Sequence, residues 1–205
     1  MIIIGWDIGI KNLAYCIFKF NEETEKITIV DWNIIDLRTE TQIKNGKKCA
    51  KICLKDLSRA LYENLENNKN FKKFDYIIIE NQPVLKNPTM KSVQMILYSY
   101  FAFKSVKVKE FQDLILMNAS NKLKVYTKKI ENNETLDKIN KIKSKYTRNK
   151  KLSILHTEIL LSEILEKKKY EEWLEFFSSN KKKDDLADSF LMNLFFLKKN
   201  KYINI

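Results

Sequence analysis

Glycine is almost missing from this 205-residue chain, which has only Gly5, Gly9 and Gly46. Proteins that cradle nucleotide phosphates need glycine-rich turns to let the backbone approach the ligand. The shortage argues against the actin-like ATPases and sugar kinases, which share an opening strand ending in Asp-x-Gly, as Asp7-Ile8-Gly9 does here. No nucleotide cofactor is therefore expected. Long hydrophobic runs are lacking too: none approaches the roughly 18 to 20 residues of a membrane span. Residue 2 already begins a strand-like segment, which leaves no room for a charged leader or an Arg-rich transit peptide, so no membrane association is expected. Cys16, Cys49 and Cys53 are odd in number, and no histidine or second cysteine pair accompanies them. They read as buried thiols of a reducing compartment rather than as a zinc site. His156 is the only histidine and reads as a packing or surface residue.

Cations are abundant: the formal net charge is +12, which suits a polyanionic partner because clustered cations release counterions from phosphates. Only Arg38, Arg59 and Arg148 are arginines, and A/T-rich coding alone would enrich lysine. The placement of charge is therefore more telling than its sum. Lys138, Lys141, Lys143, Lys145, Arg148, Lys150 and Lys151 crowd one stretch with Tyr146 among them, and Lys181, Lys182 and Lys183 run directly into Asp184. A cationic run abutting acids suits a site that holds an anionic backbone over metal ions; a solvated loop is its plain alternative.

The patterning predicts one domain over residues 1–205. The run Ile2-Ile3-Ile4 leading to Asp7, the apolar segment 13–20 and the β-rich segment 27–37 predict an antiparallel meander. Apolar residues at intervals of three and four predict a helix over 47–66. Residues 74–80 predict a central strand, since Ile77, Ile78 and Ile79 offer both faces to a core. Asn87-Pro88 predicts a helix start, with the helix reaching about 103. A strand is expected near 106–111, the segment 114–126 fits no single pattern, and 128–145 is polar enough for a loop or mobile insertion. A helix through Leu152, Leu155, Ile159 and Ile164 and a final helix over 184–198 complete the α/β layered domain, with a basic insertion around 124–150.

Alternate residues of a strand share a face, so Asp7 goes with Gly5 and Ile3, and Glu80 with Ile78. Each acid ends its apolar run, which predicts a place at the sheet rim within reach of solvent. Asp185 and Asp188 are neighbours on one helix face, and Asp184 is a reserve member. Carboxylates gathered in one pocket repel one another and need a cation. Mg²⁺ favours hard oxygen ligands, and two such ions can activate a water and steady the leaving oxygen of a phosphoryl displacement.

The runs Gly5-Trp6-Asp7-Ile8-Gly9-Ile10-Lys11-Asn12, Ile79-Glu80-Asn81-Gln82-Pro83 and Lys182-Lys183-Asp184-Asp185-Leu186-Ala187-Asp188 together resemble the poxvirus-type Holliday junction resolvases, relatives of RuvC and the fungal mitochondrial resolvases. The resemblance implies an RNase H-like, retroviral-integrase-like fold with a central mixed β-sheet flanked by helices on both faces. It implies a homodimer and Mg²⁺-dependent cutting of four-way DNA junctions by paired symmetric nicks, with Mn²⁺ able to substitute and two ions per site. Asp7, Glu80, Asp185 and Asp188 fall on the family's four metal-binding, catalytic acids. Lys11 and Asn12 fall on its first motif and Gln82 just beyond the second acid; these three, with Lys150, Lys151, Lys181, Lys182 and Lys183, are the DNA-contact candidates. The stretch 124–145 has no counterpart. Such an enzyme would serve DNA recombination and resolve viral concatemers in the host cytoplasm, a mitochondrial place being the alternative. A ribonuclease H acting on RNA–DNA hybrids and a non-catalytic junction-binding protein are the rival readings.

Overall fold

In the computed structural model, residues 1–46, 52–71, 73–85, 87–107, 113–126 and 134–205 are described. Three antiparallel strands open the chain: β1 (Ile2–Asp7), β2 (Leu13–Asn21) and β3 (Lys26–Ile35). The turn from β1 to β2 is tight at Gly9, where a Cβ would fall 2.2 Å from the Asn12 carbonyl oxygen. After the short helix α1 (Glu40–Lys44), closed by a Thr39/Gln42 capping box, comes α2 (Leu54–Asn67). Its Leu57, Leu61 and Leu65 are buried at four-residue intervals, as one helix face requires. The expected start of this helix at 47 lies outside the described residues.

Strand β4 (Tyr76–Asn81) then adds to the sheet parallel to β1. Helix α3 (Pro88–Lys107) follows, with the Asn87 side chain accepting the Met90 N–H at 3.2 Å and proline at the first helical position. The strand expected near 106–111 is corrected: Val106 and Lys107 form the end of this helix, residues 108–112 lie outside the described set, and β5 occupies Asp113–Asn118. The reason is position. β5 is a half-exposed edge strand paired only to β4, so its residues carry neither a clean alternation nor a fully apolar run.

A 3-10 turn (Ala119–Lys124) leaves β5. The helices α4 (Glu134–Asn140), α5 (Lys145–Ile164), α6 (Lys167–Ser179) and α7 (Lys183–Lys199) complete the chain. The described part of the polar stretch around 124–150 is thus largely helical, and α6 was not anticipated. No helix among the described residues is long and apolar enough to cross a membrane.

The sheet order is β3-β2-β1-β4-β5. Strand periodicity sorts the core into two layers. Ile4, Trp6, Ile77 and Ile79 pack under Leu57 and Leu61 of α2 and Val93, Leu97 and Phe101 of α3. Ile3, Phe18, Trp32 and Ile78 pack under Leu160 and Leu161 of α5, Phe177 of α6 and Phe190 and Leu191 of α7. Each such side chain contributes about 2 kcal/mol when fully buried. The architecture is the expected one, a mixed sheet with helices on both faces. Helix α7 is fixed to the sheet by directed contacts as well. The Trp32 indole N–H donates to the Leu186 carbonyl at 3.0 Å, and the Asn193 amide donates to the Cys16 carbonyl at 2.8 Å.

Candidate active site

Asp7 and Glu80 follow the last registered pair of the β1–β4 ladder, Trp6 beside Ile79. With Gly5 and Ile78 they point to the α7 side of the sheet, as alternation requires. Helix α7 lies close because β1 offers no side chain at Gly5: a Cβ there would come within 2.6 Å of the Ser189 carbonyl oxygen and of Asn193 Oδ1. That approach brings Asp185 and Asp188, one turn apart on α7, over the two strand acids. All four acids line one cleft of about 400 Å³, together with Gln82, Lys122, Tyr146, Asn149, Lys150 and Ser153.

The expected place at a solvated rim is corrected. Asp7 and Glu80 are each only 7% exposed, because α7 and the turn after β5 roof the strand ends. Burial, reinforced by the Glu80 charge, holds the Asp7 carboxyl well above the ordinary carboxylate range. Burial likewise raises Asp188, against the pull of Lys122. Asp185 is pushed up to about 6 by burial and then by the adjacent Asp184.

Lys122, on the 3-10 turn after β5, is the residue that sequence reading missed. Its ammonium donates to Asp188 Oδ2 and stands 3.5 Å from Glu80 Oε1. Burial works against this cation, but the charges of Asp7, Asp188 and Glu80 outweigh it and hold Lys122 protonated. Nothing in the local sequence distinguished it from its many fellow lysines; only the fold carries it to the acids.

The remaining candidates divide. The Gln82 side chain donates to Glu80 Oε2 while its own backbone N–H is held by Gln94 Oε1 at 2.7 Å. Lys150 lines the cleft and pairs with Asp184. Asp184 itself does not line the cleft, whereas Asp185 and Asp188 do. Lys11, Asn12, Lys151, Lys181, Lys182 and Lys183 do not line it. Of these, Lys11, Lys151 and Lys181 are exposed. His156 is buried on α5, its ring 5.2 Å from that of Tyr126. Cys16 is buried and Cys53 exposed, and Cys49 lies outside the described residues.

Among the described residues no three His, Cys, Asp or Glu side chains surround a point that could hold a metal ion as they stand, with the Lys122 ammonium set between Glu80 and Asp188. Asp185 Oδ2 and Asp188 Oδ1 are nevertheless buried without a hydrogen-bond partner. Lys122 and Lys150 are the two cleft-lining lysines against the four gathered carboxylates, and Lys150 is paired with Asp184, which leaves uncompensated negative charge; orphaned carboxylate oxygens are hard ligands. The donor set therefore fits a hard divalent cation.

Residues 3–84 match the family model described as mitochondrial resolvase Ydc2 / RNA splicing MRS1. An uncharacterized protein of Acanthamoeba polyphaga mimivirus is 36% identical over 126 residues, 59% of this chain. The match spans only 28% of that relative's length. Among solved structures, the Fowlpox virus resolvase in complex with substrate Holliday junction DNA matches with a TM-score of 0.60 and 22% identity, over 98% of this chain and 99% of that one. The yeast mitochondrial Holliday junction resolvase Ydc2 matches at 0.55 and 22% identity, over 98% and 80%. Thermus thermophilus RuvC with a Holliday junction substrate matches at 0.53 and 11% identity, over 98% of each chain. The chain is thus similar in fold, across nearly its whole length, to the Fowlpox virus, yeast mitochondrial and Thermus thermophilus resolvases, and in sequence, over residues 3–84 that carry Asp7 and Glu80, to the family of mitochondrial resolvase Ydc2 and RNA splicing MRS1.

Proposed function

We propose that this protein is a divalent-metal-dependent endonuclease that cuts four-way DNA junctions. The carrying observation is the cleft in which Asp7, Glu80, Asp185 and Asp188 converge from β1, β4 and α7, with two buried carboxylate oxygens that have no hydrogen-bond partner among the described residues. The junction as substrate is taken from the relatives, whose solved structures include junction complexes.

Asp7, Glu80, Asp185 and Asp188 would hold Mg²⁺, or Mn²⁺ in its place, with room in chemistry for two ions. When bound, the metal supplies a nucleophilic water and charge stabilisation at phosphorus. Gln82 keeps Glu80 oriented through its amide. Lys122, kept protonated by the acids around it, offers its N–H groups to a phosphate oxygen entering the cleft and lowers the repulsion that four carboxylates would exert on DNA. Attack at phosphorus with departure of the 3′ oxygen leaves a 5′-phosphate and a 3′-hydroxyl. Lys11, Asn12, Lys150, Lys151 and Lys181 to Lys183 contact backbone phosphates, so selectivity rests on junction shape more than on base edges. A homodimer would present two such clefts to a two-fold junction, making paired symmetric nicks a result of symmetry. Its place would be recombination and viral concatemer resolution in the host cytoplasm, with the mitochondrion as alternative; both viral and mitochondrial relatives exist.

One observation favours a second reading, a non-catalytic junction-binding protein: Lys122 fills the space between Glu80 and Asp188. Cleavage assays with Mg²⁺ or Mn²⁺ on a four-way junction, a linear duplex and an RNA–DNA hybrid decide. The expected result is junction cutting above both controls. Binding without cutting would establish the second reading, and preferential hybrid cutting would establish a ribonuclease H.

A further inference from the structure

Tyr146 stands out in the cleft. It lies on the first turn of α5, lines the same cavity as Asp185 and Asp188, and is 70% exposed. A lone exposed aromatic is ordinary, but this one is braced. One helical turn on, Lys150 sets its ammonium over the Tyr146 ring, 4.9 Å from the centroid. Lys150 is in turn held by Asp184. A cation over a ring, itself anchored by a carboxylate, restrains the ring's orientation, and the 70% exposure of Tyr146 leaves aromatic surface free for a ligand.

Exposed aromatic surface beside a phosphate-cutting site matches one ligand chemistry, a nucleobase lifted out of its stack, because every base has a π-face. We propose that Tyr146 is a stacking platform for an unstacked base flanking the scissile phosphate, with Lys150 and Asp184 as its positioning residues. This rests on the reading of the cleft as a nuclease site. The platform would add to junction selectivity. A base at a branch point is already loosened from its neighbours, whereas a base in intact duplex must first be unstacked at a cost. It also gives Asp184 a task distinct from that of Asp185 and Asp188.

Single-turnover cleavage in Mg²⁺, as a function of protein concentration, tests the idea with junctions carrying one abasic site stepped through the branch. For the wild type, one abasic position should raise the half-saturating concentration by about fivefold to a hundredfold. Tyr146→Leu should lose the same factor on the intact junction and become insensitive to that abasic position. Tyr146→Phe and Tyr146→Trp, which keep an aromatic face, should retain the sensitivity to that abasic position. Equal losses for Tyr146→Leu on every substrate, or no loss at all, would overturn the stacking assignment while leaving the nuclease reading intact. A wild type that cuts no junction would overturn the nuclease reading, and the platform with it.

Discussion

The Lys122 ammonium donates to Asp188 Oδ2 while standing 3.5 Å from Glu80 Oε1, so a turn after the edge strand β5 supplies the internal counter-charge of the acidic cleft. Removing one partner of a buried ion group leaves the others uncompensated. Lys122→Met should destabilise the metal-free protein by about 3 kcal/mol, read by urea denaturation in EDTA. Mg²⁺ should then raise the Tm of the variant more than that of the wild type, since the ion replaces the missing charge. Equal metal-induced shifts in the two proteins would show that Lys122 does not share the acids with the metal.

Asp7→Asn and Asp185→Asn remove the charge of two proposed metal ligands with little change in side-chain volume. Each should slow junction cutting by more than about a hundredfold with junction affinity retained. Gel-shift titration beside a cleavage time course checks both halves. Loss of binding by a folded variant would move these residues from chemistry to substrate contact.

The approach of α7 to β1 depends on Gly5. Gly5→Ala should cost roughly 1 to 3 kcal/mol through overpacking, because the obstructing Ser189 carbonyl is backbone and cannot rotate away. Displacement of α7 would part Asp185 and Asp188 from Asp7 and Glu80. Cutting measured well below the melting temperature should therefore fall further than the lost stability explains.

Neutralising Lys181, Lys182 and Lys183 to glutamine should weaken junction binding and flatten its dependence on salt by about one unit of log–log slope for each lysine that faces a phosphate. An unchanged slope would remove this run from the DNA surface.

His156 is buried, its Nδ1 has no hydrogen-bond partner among the described residues, and burial lowers its pKa from the ordinary value of 6.5. The folded state keeps the ring neutral while the unfolded chain takes up a proton, so stability is lost as pH falls below about 6.5. His156→Leu should be less sensitive than wild type when urea midpoints at pH 7 and pH 5 are compared. The raised acids of the cleft act with the opposite sign, but they are common to both proteins and cancel in the difference.

Much of the site was legible because two-residue periodicity assigns a face before any contact is known. Ile3, Gly5 and Asp7 had to share one side of β1, and Ile78 and Glu80 one side of β4, and α7 covers that side. What escaped was set by tertiary position. Lys122 gained its role from the path of the turn after β5, and β5 was misplaced because an edge strand with one neighbour has little pattern to show. Helix α6 went unseen because its anchors, Trp173, Phe176 and Phe177, form one short cluster against Trp32 rather than a long stripe. The depth at which Asp7 and Glu80 lie was hidden for the same reason: a strand end looks like a rim until a helix is laid over it.

Helix α7 follows all five strands in the order of synthesis, and it carries half of the converging acids. Until α7 arrives, Asp7 and Glu80 lack the other half of the acidic set, and the sheet lacks Phe190, Leu191 and Leu194, which cover one of its faces. Only when α7 settles into the gap above Gly5 does the donor set become complete. Covering of that face and completion of the proposed metal-binding set are then one event, and a chain cut short before Lys183 would lose both.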